Sequence, residues 1–289
     1  MNGALFLPLV VVLGLLSAGR SAWAHHSPGH GPSESLRVLG AWGRSPLPRQ
    51  RGLALLEVAR TSNEPNLNAA TTVTLAPLVD LSLSPRWFVS ARLPFGVVHE
   101  DSGNRSKGGL FDLRLGLSWL VRTPSSARKS HWSLGMNVSL PTRTVVFEAD
   151  PGRIGGLSVG PRYAYHRGRL VLYAMTLAVA ERRPAGEAWE VSSAAGASVR
   201  ASRTVSLSGG SSVDVRLLST CRSPSGATVC PQGRASEADR PHGALRVYGN
   251  AAASWDFASA WTFFGNAQLP LTRRRDVAWL VSAGFERRF

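Results

Sequence analysis

Beyond its N-terminal run, the chain lacks the roughly 18 continuous apolar residues that a membrane-crossing helix needs. Helical spans are therefore excluded from the mature chain, although 44% of its 289 residues are hydrophobic and the mean hydropathy is -0.03. Hydropathy alone leaves both a soluble domain and a β-barrel standing, because barrel strands alternate apolar with polar and average out. Cysteine is scarce, with two residues, Cys221 and Cys230. That excludes a disulfide-dense scaffold. The pair sits in a stretch rich in Ser, Pro and Gly, without metal-ligating neighbours, and is expected to form a disulfide stapling one loop in an oxidising compartment. Acidic residues are also few, 18 against 33 basic ones, mostly Arg, for a formal charge of +15. Such a balance suits nucleic acid, acidic lipid or anionic solutes. No basic cluster with interleaved aromatics, as in single-strand binders, is present, so nucleic acid is not expected as a partner.

What is present begins with an apolar run from Ala4 to Leu16, small residues, and then Ala22-Trp23-Ala24. This pattern reads as a secretory signal over residues 1–24, although no Lys or Arg precedes the apolar run. Residues 25–50 follow as a His-, Pro- and Gly-rich periplasmic leader. Its His25, His26 and His30 are imidazoles of the kind that bind copper, nickel or zinc. No Cys, Asp or Glu completes a defined site there, and a polar linker is the competing reading.

From residue 51 to 289 the pattern changes to segments of apolar–polar alternation separated by turn residues, the period of a β-strand. In 111–121, Phe111, Leu113, Leu115, Leu117 and Trp119 share one face with Val121. In the last segment Trp279, Val281, Ala283 and Phe285 oppose Ser282, Gly284, Glu286 and Arg288. Twelve strands are predicted, over 52–61, 70–83, 86–98, 109–122, 130–141, 156–165, 169–181, 188–200, 203–218, 243–256, 260–272 and 276–289. Most exceed the about 5–6 residues of soluble strands and reach the about 9–11 that a tilted strand needs to span a bilayer. With both termini periplasmic, the predicted periplasmic turns are mostly tight, and the outer connections, notably 100–108, 142–155 and 220–242, are longer. Of nine tryptophans, the seven in strands (Trp87, Trp119, Trp132, Trp189, Trp255, Trp261 and Trp279) all fall on the apolar face near strand ends, where lipid–water boundaries favour them. The expected fold is all-β: a single antiparallel transmembrane β-barrel in the bacterial outer membrane.

Charge on the lipid face would cost about 2–4 kcal/mol per Arg at the midplane. The predicted lumen lining is therefore Asp80, Arg92, Asp112, Arg114, Arg162, Glu190, Arg200, Asp214, Arg216, Arg246, Asp256, Glu286 and Arg288. These charges either pair along the wall or set the selectivity of a conduit. A twelve-stranded barrel lies between the filled eight-strand case and the open channel of about sixteen, so segments 35–42 and 220–242 are expected to decide whether the bore is open.

His131-Trp132-Ser133 has the His-x-Ser spacing of outer-membrane phospholipases. Alternation points it at the lumen from the periplasmic end, and Leu134-Gly135 replaces that family's following Asn-Gly, so no catalytic residues are assigned. A second resemblance covers about Arg60 to Phe289. Arg92-Leu93-Pro94-Phe95-Gly96, Gly108-Gly109-Leu110-Phe111-Asp112-Leu113-Arg114-Leu115-Gly116, Leu140-Pro141-Thr142, Gln268-Leu269-Pro270-Leu271 and the terminal 283–289 string resemble the outer-membrane barrel family of the phenol meta-degradation pathway. Phe111 stands where that family usually has a Gly. The resemblance implies transporter-like passage of small, often hydrophobic or aromatic solutes, and it supplies no catalytic residues to carry over. A closed-lumen barrel presenting the His-rich leader to a metal is the alternative. The terminal Phe289 resembles the aromatic that the barrel-insertion machinery is thought to read.

Overall fold

The computed structural model describes residues 50–61, 70–101, 105–122, 130–142, 144, 155–183, 186–221, 245–272 and 277–289. They form fourteen strand elements in one antiparallel sheet: β1 (Arg51–Thr61), β2 (Ala70–Ser82), β3 (Trp87–Arg92), β4 (Phe95–Glu100), β5 (Arg105–Leu110), β6 (Leu113–Arg122), β7 (Ser130–Leu140), β8 (Gly155–Arg167), β9 (Leu170–Arg183), β10 (Gly186–Arg200), β11 (Val205–Cys221), β12 (Leu245–Ala258), β13 (Trp261–Pro270) and β14 (Val277–Arg288). β3 and β4 lie end to end along β2, and β5 and β6 lie end to end along them. Each of these couples is one interrupted stave, so the barrel has the twelve staves predicted.

Closure is made by β1, which pairs with β2 on one side and with β14 on the other, from Arg51↔Arg288 to Thr61↔Val277. A sheet without edges is what lipid demands, since an open edge would leave backbone groups unsatisfied in hydrocarbon. At the seam Phe289 N donates to Gln50 O at 3.3 Å. The Phe289 ring lies against Gly52 of β1, and the Arg287 guanidinium sits 5.5 Å from the Trp261 ring and 5.6 Å from Phe289. The terminal aromatic thus packs over the last closing pairs.

The interruption has a local cause. Pro94 has no N–H to give to a ladder. There Phe111 N donates instead to Pro94 O at 2.9 Å, and Leu93 N to Pro77 O at 3.2 Å. Between the pairs Arg92↔Arg114 and Phe95↔Leu110 the β5–β6 stave carries one residue more than its partner. That is a β-bulge, and it flips the alternation. Thr142 and Thr144, just past β7, hold the opposite side: Thr142 Oγ1 accepts from Leu113 N at 2.8 Å, and Thr144 Oγ1 from Leu110 N at 2.8 Å. The lipid-facing position predicted for Phe111 is therefore wrong. Leu110 and Leu115 face outward, whereas Phe111 is turned inside and buried against Ala70 and Val98.

The outer face is an apolar band. Val73, Leu75, Leu115, Leu172, Leu207 and Val281 are among its exposed side chains. An apolar girdle of this extent around a closed barrel is a lipid-facing surface. All seven strand tryptophans lie on it by alternation, and Trp87 stacks on Trp119 while Trp132 meets Tyr163 at 4.7 Å. The outer connection expected over 100–108 is shorter than predicted, because β4 and β5 pair as far as Glu100↔Arg105. β10 and β11, 15 and 17 residues long, pair to Gly186↔Cys221. They exceed what a bilayer needs. Residues 1–49, with the proposed signal and most of the leader, and Cys230 lie outside the described residues.

Candidate functional site: the barrel lumen

Most predicted lumen charges point inward. Asp80, Asp112, Asp214, Arg246 and Glu286 are buried, and Arg92, Arg114, Arg162, Glu190, Asp256 and Arg288 are half-buried. Arg200 is exposed at the C-terminal end of β10. The side chain of Arg216 lies outside the described residues. Several of these charges pair across staves. At the seam Arg51, which the sequence reading left off the lining, reaches Asp80 of β2 at 2.6 Å and Glu286 of β14 at 3.0 Å. Near the same level Arg288 approaches Asp256 at 3.4 Å, and Thr262 donates to that carboxylate at 2.6 Å. Toward the outer side Arg246 crosses β11 to meet Glu190 at 2.8 Å. On the far wall Arg92 and Arg114 are direct cross-strand partners, two cations side by side with Asp112 just beyond.

Large inner side chains lie along the wall because a neighbouring stave offers glycine. Arg162 passes over Gly135 to reach Ser118 Oγ at 3.3 Å, within electrostatic range of Asp80 and Arg51. Tyr173 passes over Gly196 and donates to Gly209 O at 3.3 Å, and Phe264 lies on Gly284. A Cβ at 135 would stand 2.7 Å from Arg162 Cζ, the end of a flexible chain. A Cβ at 196 would stand 2.4 Å from the Gly209 carbonyl oxygen and 2.5 Å from Tyr173 Oη. These two sites should therefore respond differently. Gly135→Ala is expected to fold normally while swinging the guanidinium toward the axis, which lowers conductance. Gly196→Ala is expected to lose about 1–3 kcal/mol of stability through overpacking against backbone. Urea titration of folded protein and single-channel recording separate the two.

The lumen is not uniformly polar, as alternation had suggested. The inner face of β9 is Val171, Tyr173, Met175, Leu177 and Val179, apolar along most of its length. Tyr173, Met175 and Leu177 join Ala59 of β1, Ala164 of β8, Ala194 of β10, Tyr248 of β12 and Leu280 of β14 in one buried cluster. Leu53 and Leu55 of β1 also face in, with Ala76 and Phe264. β13 contrasts with β9. Its inner Asn266 and Gln268 are 5% and 2% exposed, and their amide groups find no protein partner among the described residues. These amide atoms are also sealed from solvent in this conformation, so only a rearrangement of the packed lumen would offer them to water or a solute. The lumen thus has one apolar wall and one amide-bearing wall, both buried.

The His-x-Ser pair is inward-facing and buried, at the end of β7 next to the β6–β7 connection. His131 engages not Ser133 but His166 of β8, Nε2 to Nε2 at 3.2 Å. His166 and the apolar lining of β9 were missed from sequence. The signal for His166 was available, since it shares the inward parity of Arg162.

No family model and no curated protein matches the sequence. Solved structures do match. An outer membrane channel from Pseudomonas putida F1 has a TM-score of 0.66 at 14% identity, covering 84% of this chain and 97% of that one. The NanC porin has a TM-score of 0.52 at 6% identity, covering 82% and 100%. The translocator domain of the autotransporter NalP from Neisseria meningitidis has 0.51 at 13%, covering 89% and 95%. At these identities the likeness is one of fold, and the fold of this chain is that of the outer-membrane β-barrels.

Proposed function

We propose that the chain is an outer-membrane conduit for small solutes that combine an apolar or aromatic body with a polar substituent. The observation that carries this reading is the two-sided bore. The apolar strip of β9 would cover an aromatic ring, and Asn266 and Gln268 across the lumen would take its polar group. Tyr173, Met175, Leu177, Tyr248 and Leu280 pack together across the lumen, and in this reading they part as a solute passes, an apolar waist that resists bulk water and ions. The channel from Pseudomonas putida supports a transport reading by its fold, as does the sequence resemblance to the phenol-pathway barrels. The experiment is single-channel recording with solutes added. Benzoate or phenol is expected to produce concentration-dependent interruptions of the current, and glycerol or glucose none. Equal interruption by glucose would overturn the preference for aromatic solutes.

A second reading rests on the same cluster. It joins β9, the seventh stave, to β1 and β14 on the far side of the barrel, as a closed lumen would. A closed barrel would conduct only after the waist is cut back, for example by Leu177→Gly. The leader histidines His25, His26 and His30 are proposed in that reading to hold copper, nickel or zinc, and Cys221 with Cys230 to staple the 222–244 connection.

A further inference from the structure

We infer that His131 and His166 form a seat for a divalent transition metal, zinc in the first instance, at the periplasmic mouth of the lumen. His131 is the second residue of β7 and His166 the last but one of β8, and both point inward at the end of adjacent staves. Their Nε2 atoms are 3.2 Å apart. A zinc ion bound by both at Zn–N about 2.0–2.1 Å, with a near-tetrahedral angle, would hold the two nitrogens about 3.2–3.4 Å apart. The ring centroids are 4.7 Å apart and the planes inclined at 45°. The centroids are thus farther apart than the nitrogens, and the rings open as a V whose tips converge, rather than lying stacked.

Backbone pairing fixes this geometry. His131 sits opposite Ala164, and His166 is displaced by two residues on the same face, so neither ring can turn away without leaving the inner side of its strand. Zinc suits the donor set, two neutral imidazoles without thiolate. Among the described residues no third His, Cys, Asp or Glu joins the pair. Water or an anionic solute would complete the coordination of a zinc held by the pair. A cation held there would also stand in the mouth of the bore.

The test is calorimetric titration of zinc chloride into the refolded mature protein, with His25, His26 and His30 replaced by Asn to silence the leader. One zinc per barrel is expected, with affinity falling at least tenfold in both His131→Ala and His166→Ala. His166→Gln retains a polar side chain of similar reach and serves as the folded control, its fold checked by gel mobility; it is expected to lose zinc as the alanine variants do. No binding in the leader-silenced protein, or binding unchanged by all three substitutions, would overturn the site. The readout is metal binding, so it stands apart from whether the barrel conducts.

Discussion

Replacing Arg51 by Met is expected to destabilise the folded barrel by about 3–5 kcal/mol, because two buried carboxylates lose their shared counter-charge. Arg51, Asp80 and Glu286 come from β1, β2 and β14, the three staves that meet where the barrel closes. Their side chains are 9–12% exposed, so solvent screens little of the interaction. The pair at the opposite end of β1 differs. Arg60 and Asp101 are 35% and 41% exposed, and removing either should cost at most about 1 kcal/mol. Urea unfolding in lipid vesicles, followed by tryptophan fluorescence, reads both. The loss at Arg51 should be largely recovered in the triple variant Arg51→Met, Asp80→Asn, Glu286→Gln, because removing a whole buried ion group costs far less than removing one member. A triple variant no more stable than Arg51→Met would show that the guanidinium acts through packing rather than charge.

Placing an arginine on the lipid face should have an effect of similar size for the opposite reason. Val281 lies near the middle of β14, is 50% exposed and points outward between the inward Leu280 and Ser282. Val281→Arg is expected to cost about 2–4 kcal/mol, the penalty for a cation at the bilayer midplane. Leu271→Arg, at the outer end just past β13 and 66% exposed, should cost no more than about 1 kcal/mol. The same substitutions in a soluble sheet would be nearly neutral, since water would solvate both. The depth dependence therefore identifies lipid as the solvent of this face. Equal small losses at both positions would contradict a membrane-spanning barrel.

Much of this architecture was legible in the sequence because period 2 is a strong signal when one face is apolar and the other polar. β14 is such a case: Val281, Ala283 and Phe285 against Ser282, Gly284 and Glu286 assign every side chain to lipid or lumen. The same logic placed Asp80, Asp214, Arg246 and Glu286 inside. It failed where the contrast vanished. β9 reads Leu170-Val171-Leu172-Tyr173-Ala174-Met175, apolar on both faces, so nothing in the pattern distinguishes a lipid-facing leucine from a lumen-facing methionine. β1 is similar, and only its pairing with β2 and β14 turns Leu53 and Leu55 inward. Phe111 failed differently. Alternation carries a side chain to the correct face only while the register is unbroken, and the bulge opposite Pro94 shifts it by one residue. Pro94 was visible, but how its stave's partner would absorb the missing donor was not. The His131–His166 contact depends on register between two strands, information that one strand's pattern does not contain.

The most direct test of a conduit is single-channel conductance of residues 25–289, the chain that the proposed signal cleavage would leave, refolded and inserted in a planar bilayer. A small conductance is expected, limited by the apolar waist, enlarged by Leu177→Gly there and altered in ion preference by Arg114→Glu beside Arg92. Absence of conductance from a folded, inserted barrel, in the wild type and in Leu177→Gly alike, would contradict a conduit through the lumen.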